Sequence, residues 1–135
     1  MSKFDALTRF LDAMHSKDLD QLKADLAEDA TLRSPIVPEP FVGKDKCFAV
    51  LGYLLRVVDE FNVREILPGN KLFAVFLEIR VDDIHIEGVD MMGLNEKELV
   101  DEMTIMWRPL PAVVAVQNRI APLLGIPALS LVPQT

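Results

Sequence analysis

The stretch FAVFLEIRVDDIHIEGVDMMGLNEKELVDEMTIMWRP, from Phe73 to Pro109, decides the fold. It reads as three consecutive antiparallel strands. Residues 73–81 are dominated by Phe, Val, Leu and Ile and are too few for a typical standalone helix. Asp82-Asp83 is a polar break that suits a tight turn. In residues 84–94 a period of two puts Ile84, Ile86, Gly88, Asp90, Met92 and Leu94 on one face. His85, Glu87, Val89 and Met91 take the other. Asn95 to Glu98 is a second polar turn, and residues 99–107 return as a third strand. Pro109 ends it, because proline cannot donate to a ladder. Asp90 stands out as a carboxylate on an otherwise apolar face, the strongest single pointer to a site. The alternative is a β-bulge that shifts the register and turns Asp90 to water.

Upstream of the meander the pattern is helical. Phe4, Leu7, Phe10, Leu11 and Met14 make one amphipathic stripe, with Ser2 as its cap and Asp5 in its first turn. His15 follows at the helix end, where a solvated histidine is favourable. Asp18 caps a second short helix through Leu19, Leu22, Leu26 and Ala27. Ala30 to Ser34 fits a short strand, and Pro35, Pro38 and Pro40 keep the next segment irregular. A third helix starts after Gly43-Lys44 and carries a broad apolar surface from Phe48 to Phe61. Residues 62–67 read as another strand, with Pro68 to Asn70 as the turn into the meander. Downstream, Val113 to Ile120 makes two helical turns before Pro122. The tail that follows is apolar, as a segment packed on a cavity mouth or a second subunit would be.

Composition removes several function classes. The 135 residues suit one domain with a sizeable core. The net charge of −7 disfavours nucleic acid and anionic membrane surfaces, both of which select Lys and Arg. Cys47 is the single cysteine, so no internal disulfide forms and no multi-thiolate zinc site is possible. Its neighbours Phe48, Ala49 and Val50 suit burial better than nucleophilic work. MSKFDALTRF lacks a signal-peptide core, and no apolar run reaches membrane-spanning length, so the expected location is cytoplasmic. His85 and Glu87 share a strand face but have no third ligand, so no metal is expected. No phosphate-binding glycine loop or nucleophile elbow occurs.

Helices followed by a curved antiparallel sheet give an α+β fold with the helices on one face. A curling sheet would make a cone whose interior is partly filled. Met14, Met92, Met103 and Met106 suit such an interior, as cavity walls or as core.

The order of these elements, with several short strings, resembles the superfamily of nuclear transport factor 2, ketosteroid isomerase and the SnoaL-like polyketide cyclases. The strings are Lys17-Asp18-Leu19-Asp20, Leu26 to Leu32 (LAEDATL) with Pro35, and Phe41-Val42-Gly43-Lys44. Ile86-Glu87-Gly88-Val89-Asp90 and Met106-Trp107-Arg108-Pro109 follow later. The resemblance spans nearly the whole chain. It implies a cystatin-like conical α+β barrel, with three N-terminal helices packed on the concave face of a curved mixed or antiparallel sheet. It implies one domain over 1–135, with 110–135 covering the pocket or the dimer surface. A homodimer through the outer sheet face is also implied.

The isomerase of that superfamily uses an aspartate base, a tyrosine and a protonated aspartic acid. Aligned on this chain, the tyrosine falls on Phe10, the base on Ser34 and the second acid on Asp90. Two of the three groups are missing, so steroid isomerisation by that mechanism is disfavoured. The related limonene epoxide hydrolases use Arg-x-Asp, which Arg80-Val81-Asp82 matches. However, Asp82 sits at a turn and the neighbouring strand core 103–107 has no acid.

Three roles stay open. The first is a cofactor-independent isomerase, cyclase or hydratase acting on a small hydrophobic molecule. In it, Asp90 is the catalytic acid or base, Ser34, Thr104 and Trp107 orient the substrate, and Phe10, Met14, Met92 and Met103 are apolar walls. The second is a protein that binds such a ligand without turnover. The third is a dimeric interaction protein with a filled core.

Overall fold

The computed structural model describes residues 1–132. Its elements are α1 (Lys3–Ser16), α2 (Leu19–Ala24), β1 (Leu26–Arg33), β2 (Phe41–Val42) and α3 (Lys44–Val57). Then come β3 (Glu60–Pro68), β4 (Phe73–Val81), β5 (Ile84–Leu94), β6 (Val100–Arg108) and α4 (Leu110–Leu124). The six strands form one sheet in the order β2-β1-β6-β5-β4-β3. β1 runs parallel to β6 and every other neighbour pair is antiparallel. The sheet is therefore mixed and open, with β2 and β3 at its two edges, and the expected barrel does not close. No helix is long and apolar enough to cross a membrane among the described residues.

α1 begins with a reciprocal cap. The Ser2 hydroxyl oxygen accepts from the Asp5 N–H, and the Asp5 carboxylate accepts from the Ser2 N–H. Its buried stripe is Ala6, Leu7, Phe10, Leu11, Ala13 and Met14. The Asp18 carboxylate accepts from the Gln21 N–H and caps α2. α2 stops at Ala24, earlier than its sequence spacing suggests. Leu26 is instead taken into the sheet opposite Val100, where the Val100 N–H donates to the Asp25 carbonyl. In α3 the buried residues Cys47, Leu51, Leu54 and Leu55 follow a helical spacing. α3 also ends early, at Val57, and Phe61 joins β3 opposite Ile79. In both places long-range pairing outcompetes a locally acceptable helix.

β4 and β5 have the expected boundaries and β6 runs one residue later than 99–107, with the first turn at Asp82, in the left-handed region at φ 52°. β4 and β5 pair without a break from Phe73–Met92 to Val81–Ile84. The only irregularity between β5 and β6 lies at Gly93–Leu94, beyond Asp90. No bulge therefore turns Asp90 outward. Val75, Asp90 and Ile105 form a row across three strands on the inner face. α4 is a fourth helix on that face, twice as long as the two turns read from the sequence, and it packs against α3, β5 and β6. Pro111 occupies its first turn, where no N–H is needed, and Pro122 lies in its last turn before the Gly125 cap. Residues 133–135 of the expected covering tail lie outside the described residues.

Candidate functional site

Two charged side chains are buried among the described residues, Asp25 and Asp90, and their surroundings differ. Asp25 is fully engaged. Arg9 donates to it through Nε at 3.0 Å and Nη2 at 2.6 Å, and Gln21 Nε2 donates at 3.0 Å. That arrangement holds α1 to the start of β1 and is structural. Asp90 is 4% exposed, and its Oδ1 has no hydrogen-bond partner among the described residues. Loss of hydration pushes its pKa from 3.8 to about 7. A buried carboxylate without a countercharge is costly unless it keeps its proton, so near neutrality Asp90 exchanges a proton readily.

An apolar cavity lies beside it, where β1, β6, α3 and α4 meet. Its walls include Leu32, Leu54, Ile105 and Trp107, with Ser34 and Gln117 as polar points. About 40 Å³ is open to the centre of a water molecule. A single water needs roughly 10–15 Å³ by that measure, so the space holds a few waters and no larger molecule as it stands. Ile105 is the cross-strand partner of Asp90, which places the carboxyl one strand beyond the cavity wall.

The candidate residues separate into three groups. Ser34 and Trp107 line the cavity. Ser34 Oγ accepts from the N–H groups of Ile36 and Val37 at 3.3 and 3.2 Å, so the hydroxyl also holds the turn after β1. Phe10, Met14, Met92 and Met103 lie on the inner side but in the packed core rather than on the cavity wall; Met92 pairs directly with Met103. Thr104 is a correction. It pairs with Met91 and Arg33 on the outer sheet face, opposite Met103, and cannot face the interior. Gln117 was not singled out from the sequence. It shares a helical face with Val113 and Ile120, inside the two turns read from the sequence, and with Leu124 beyond them, a spacing that marks it as inward.

The Arg80-Val81-Asp82 string lies outside the interior. Arg80 reaches Asp59 at 3.5 Å and Glu60 at 3.4 Å, and donates to the Asp82 carbonyl. The Asp82 carboxylate pairs with Arg119 of α4. On the outer face Glu87 pairs with Arg108 at 2.7 Å. No group of three His, Cys, Asp or Glu side chains is placed to hold a metal ion among the described residues.

No family model matches the chain, and no curated protein matches it in sequence. Solved structures do. A protein of Silicibacter pomeroyi, uncharacterised and with a cystatin-like fold, superposes with a TM-score of 0.83 at 28% identity, over 89% of this chain and 85% of its own. A steroid delta-isomerase of Pseudomonas aeruginosa gives a TM-score of 0.83 at 22% identity, over 91% of each chain. The chain has the nuclear transport factor 2-like fold. A third structure with that fold, an NTF2-like protein of unknown function from Cytophaga hutchinsonii, gives a TM-score of 0.71 at 14% identity over 82% of this chain and 94% of its own. In the NTF2-like fold of this chain, the helix-covered side of the sheet carries Asp90 and the cavity, and the outer side carries Thr104, Met106 and Val89.

Proposed function

We propose that this protein binds a small, mostly apolar molecule between its sheet and helices and exchanges a proton with it through Asp90. The supporting observation is the burial of an unpaired carboxyl beside an apolar cavity. As an acid, Asp90 would donate to a carbonyl or epoxide oxygen. As a base, it would take a proton from carbon beside a carbonyl. Isomerase, cyclase and hydratase chemistry all fit this role, and a shuttled proton calls for no metal or organic cofactor. A ligand would reach Asp90 by displacing the side chain of Ile105, its cross-strand partner, with α4 as the cover. The protein would act as one domain in the cytoplasm.

One observation favours a second reading, ligand binding without turnover. Asp90 is the only buried charged group not already paired among the described residues, and a single carboxyl is a thin catalytic set. In either reading the outer sheet face would join two copies. The row Phe76–Val89–Met106 crosses it, and Met106 is 49% exposed.

The test is a carboxyl-carbon NMR titration of Asp90 with Asp90→Asn as control, followed by turnover assays on hydrophobic ketones and epoxides. A midpoint near 7 with turnover lost in Asp90→Asn supports the acid–base reading. A midpoint near 7 with ligand binding but no turnover supports the binder. A midpoint near the ordinary 3.9 removes both.

A further inference from the structure

Two side-chain polar atoms are shut away from solvent without a partner among the described residues, Asp90 Oδ1 and Trp107 Nε1. They belong to the same patch of the inner sheet face. Gly88 pairs with Trp107 across the β5–β6 ladder, and Asp90 pairs with Ile105. Asp90 and Trp107 are thus diagonal neighbours, a separation of about 7–8 Å that an aromatic side chain spans. Gly88 sets the direction of the indole. A Cβ there would lie 2.5 Å from Trp107 Cδ1 and 3.2 Å from Nε1. The N–H edge of the ring therefore lies across β5, on the strand that carries Asp90. A phenyl ring would fill apolar space without burying a donor, and an indole usually finds a partner when its N–H is buried.

We propose that the Trp107 N–H and the Asp90 carboxyl together receive one oxygen of a neutral ligand. The proposal rests on the reading of Asp90 above and adds the second anchor and the ligand class. The indole only donates, so the ligand atom must accept. Asp90 donates as well when it carries its proton, which suits a carbonyl oxygen. When ionised it accepts, which suits a hydroxyl that also accepts from Trp107. A charged carboxylate or phosphate is excluded, because no unpaired cation is buried on this face to offset it. The class is therefore a small ketone, ester or lactone and its alcohol or enol counterpart. At Phe10 the chain lacks the hydroxyl donor found in the resembled isomerase site. Trp107 supplies a donor from the sheet instead.

The chain has one tryptophan, so its indole N–H gives a single cross-peak in a proton–nitrogen NMR spectrum. Full-length protein is titrated with cyclohexanone, and with methylenecyclohexane, which has the same shape and no oxygen. The expected result is a downfield indole proton shift with cyclohexanone alone, and cyclohexanone affinity that falls as pH rises through 7. In Trp107→Phe, cyclohexanone binds roughly three- to tenfold more weakly and methylenecyclohexane is unaffected. If cyclohexanone is still preferred and its affinity still falls as pH rises through 7, but the indole proton does not shift, the role of Trp107 falls and that of Asp90 stands; if the two probes bind alike, both fall. If neither probe moves the Ile105 signals, both fall. The shift and the pH dependence are read on the native protein, so the outcome does not depend on how well Trp107→Phe folds.

Discussion

Asp90 ties a local charge to the stability of the whole chain. Its folded pKa of about 7 exceeds the 3.8 of an exposed aspartate, so between those values the native state holds a proton that the unfolded chain has lost. The associated stability is fully present below about pH 4, declines as pH rises, and is gone above 7. At about 1.4 kcal/mol per tenfold, moving from 3.8 to about 7 corresponds to roughly 4 kcal/mol. Urea unfolding of wild type and Asp90→Asn at pH 4 and pH 7 is expected to show the wild type losing ground by about that amount. Equal pH slopes would place Asp90 in water. The inward direction of Asp90 was legible because a strand alternates strictly and the surrounding apolar residues set the phase. The same rule explains the error at Thr104. Met103 and Trp107 share a face, and the residue next to Met103 must point the other way. The lack of a partner for Trp107 Nε1 was not legible, since it depends on how a ring lies over a neighbouring strand.

Elements were legible where local pattern and long-range pairing agree. The meander met both conditions, so its three strands and two turns were read in place. Leu26 and Phe61 show the contrary case. Each extends a helical spacing in sequence, and each is claimed by a strand partner far along the chain. α4 was under-read because Pro111 and Pro122 break the helical signal; Pro111 sits in the first turn, which needs no N–H, whereas Pro122 lies inside the helix and gives up the N–H that would donate to the Asn118 carbonyl. The cavity depends on where α4 packs against β1, β6 and α3, which spacing within the helix does not give, and so its wall at Gln117 went unseen. The close packing of β5 on β6 gives a sharp test. Gly88→Ala would bring a Cβ to 2.5 Å from Trp107 Cδ1 and 2.8 Å from the Met106 carbonyl. The expected cost is about 1–3 kcal/mol, with a red-shifted tryptophan emission as the indole is pushed toward water. Unchanged stability and emission would mean that the ring does not lean on Gly88.

At the scale of the molecule, the two faces of the sheet have different roles. The inner face holds the core and Asp90, and the outer face leaves Met106 half exposed in an apolar row. Met106→Lys is expected to shift sedimentation from dimer to monomer while leaving the unfolding midpoint of the monomer within about 0.5 kcal/mol of wild type. A wild-type chain that sediments as a monomer at micromolar concentration would remove the proposed dimer. The packing of helices on one face of a sheet was legible from element order, but the open edges were not, because they depend on which strands end unpaired. The parallel pairing of β1 with β6 also imposes a schedule. β1 is complete at Arg33 and its partner at Arg108, 75 residues later. At about 5–20 residues per second, a ribosome takes roughly 4–15 s to deliver that partner. For that interval one long edge of β1 has nothing to bind, and a nascent chain stalled near Glu98 would be held in the state most open to pairing with a neighbour.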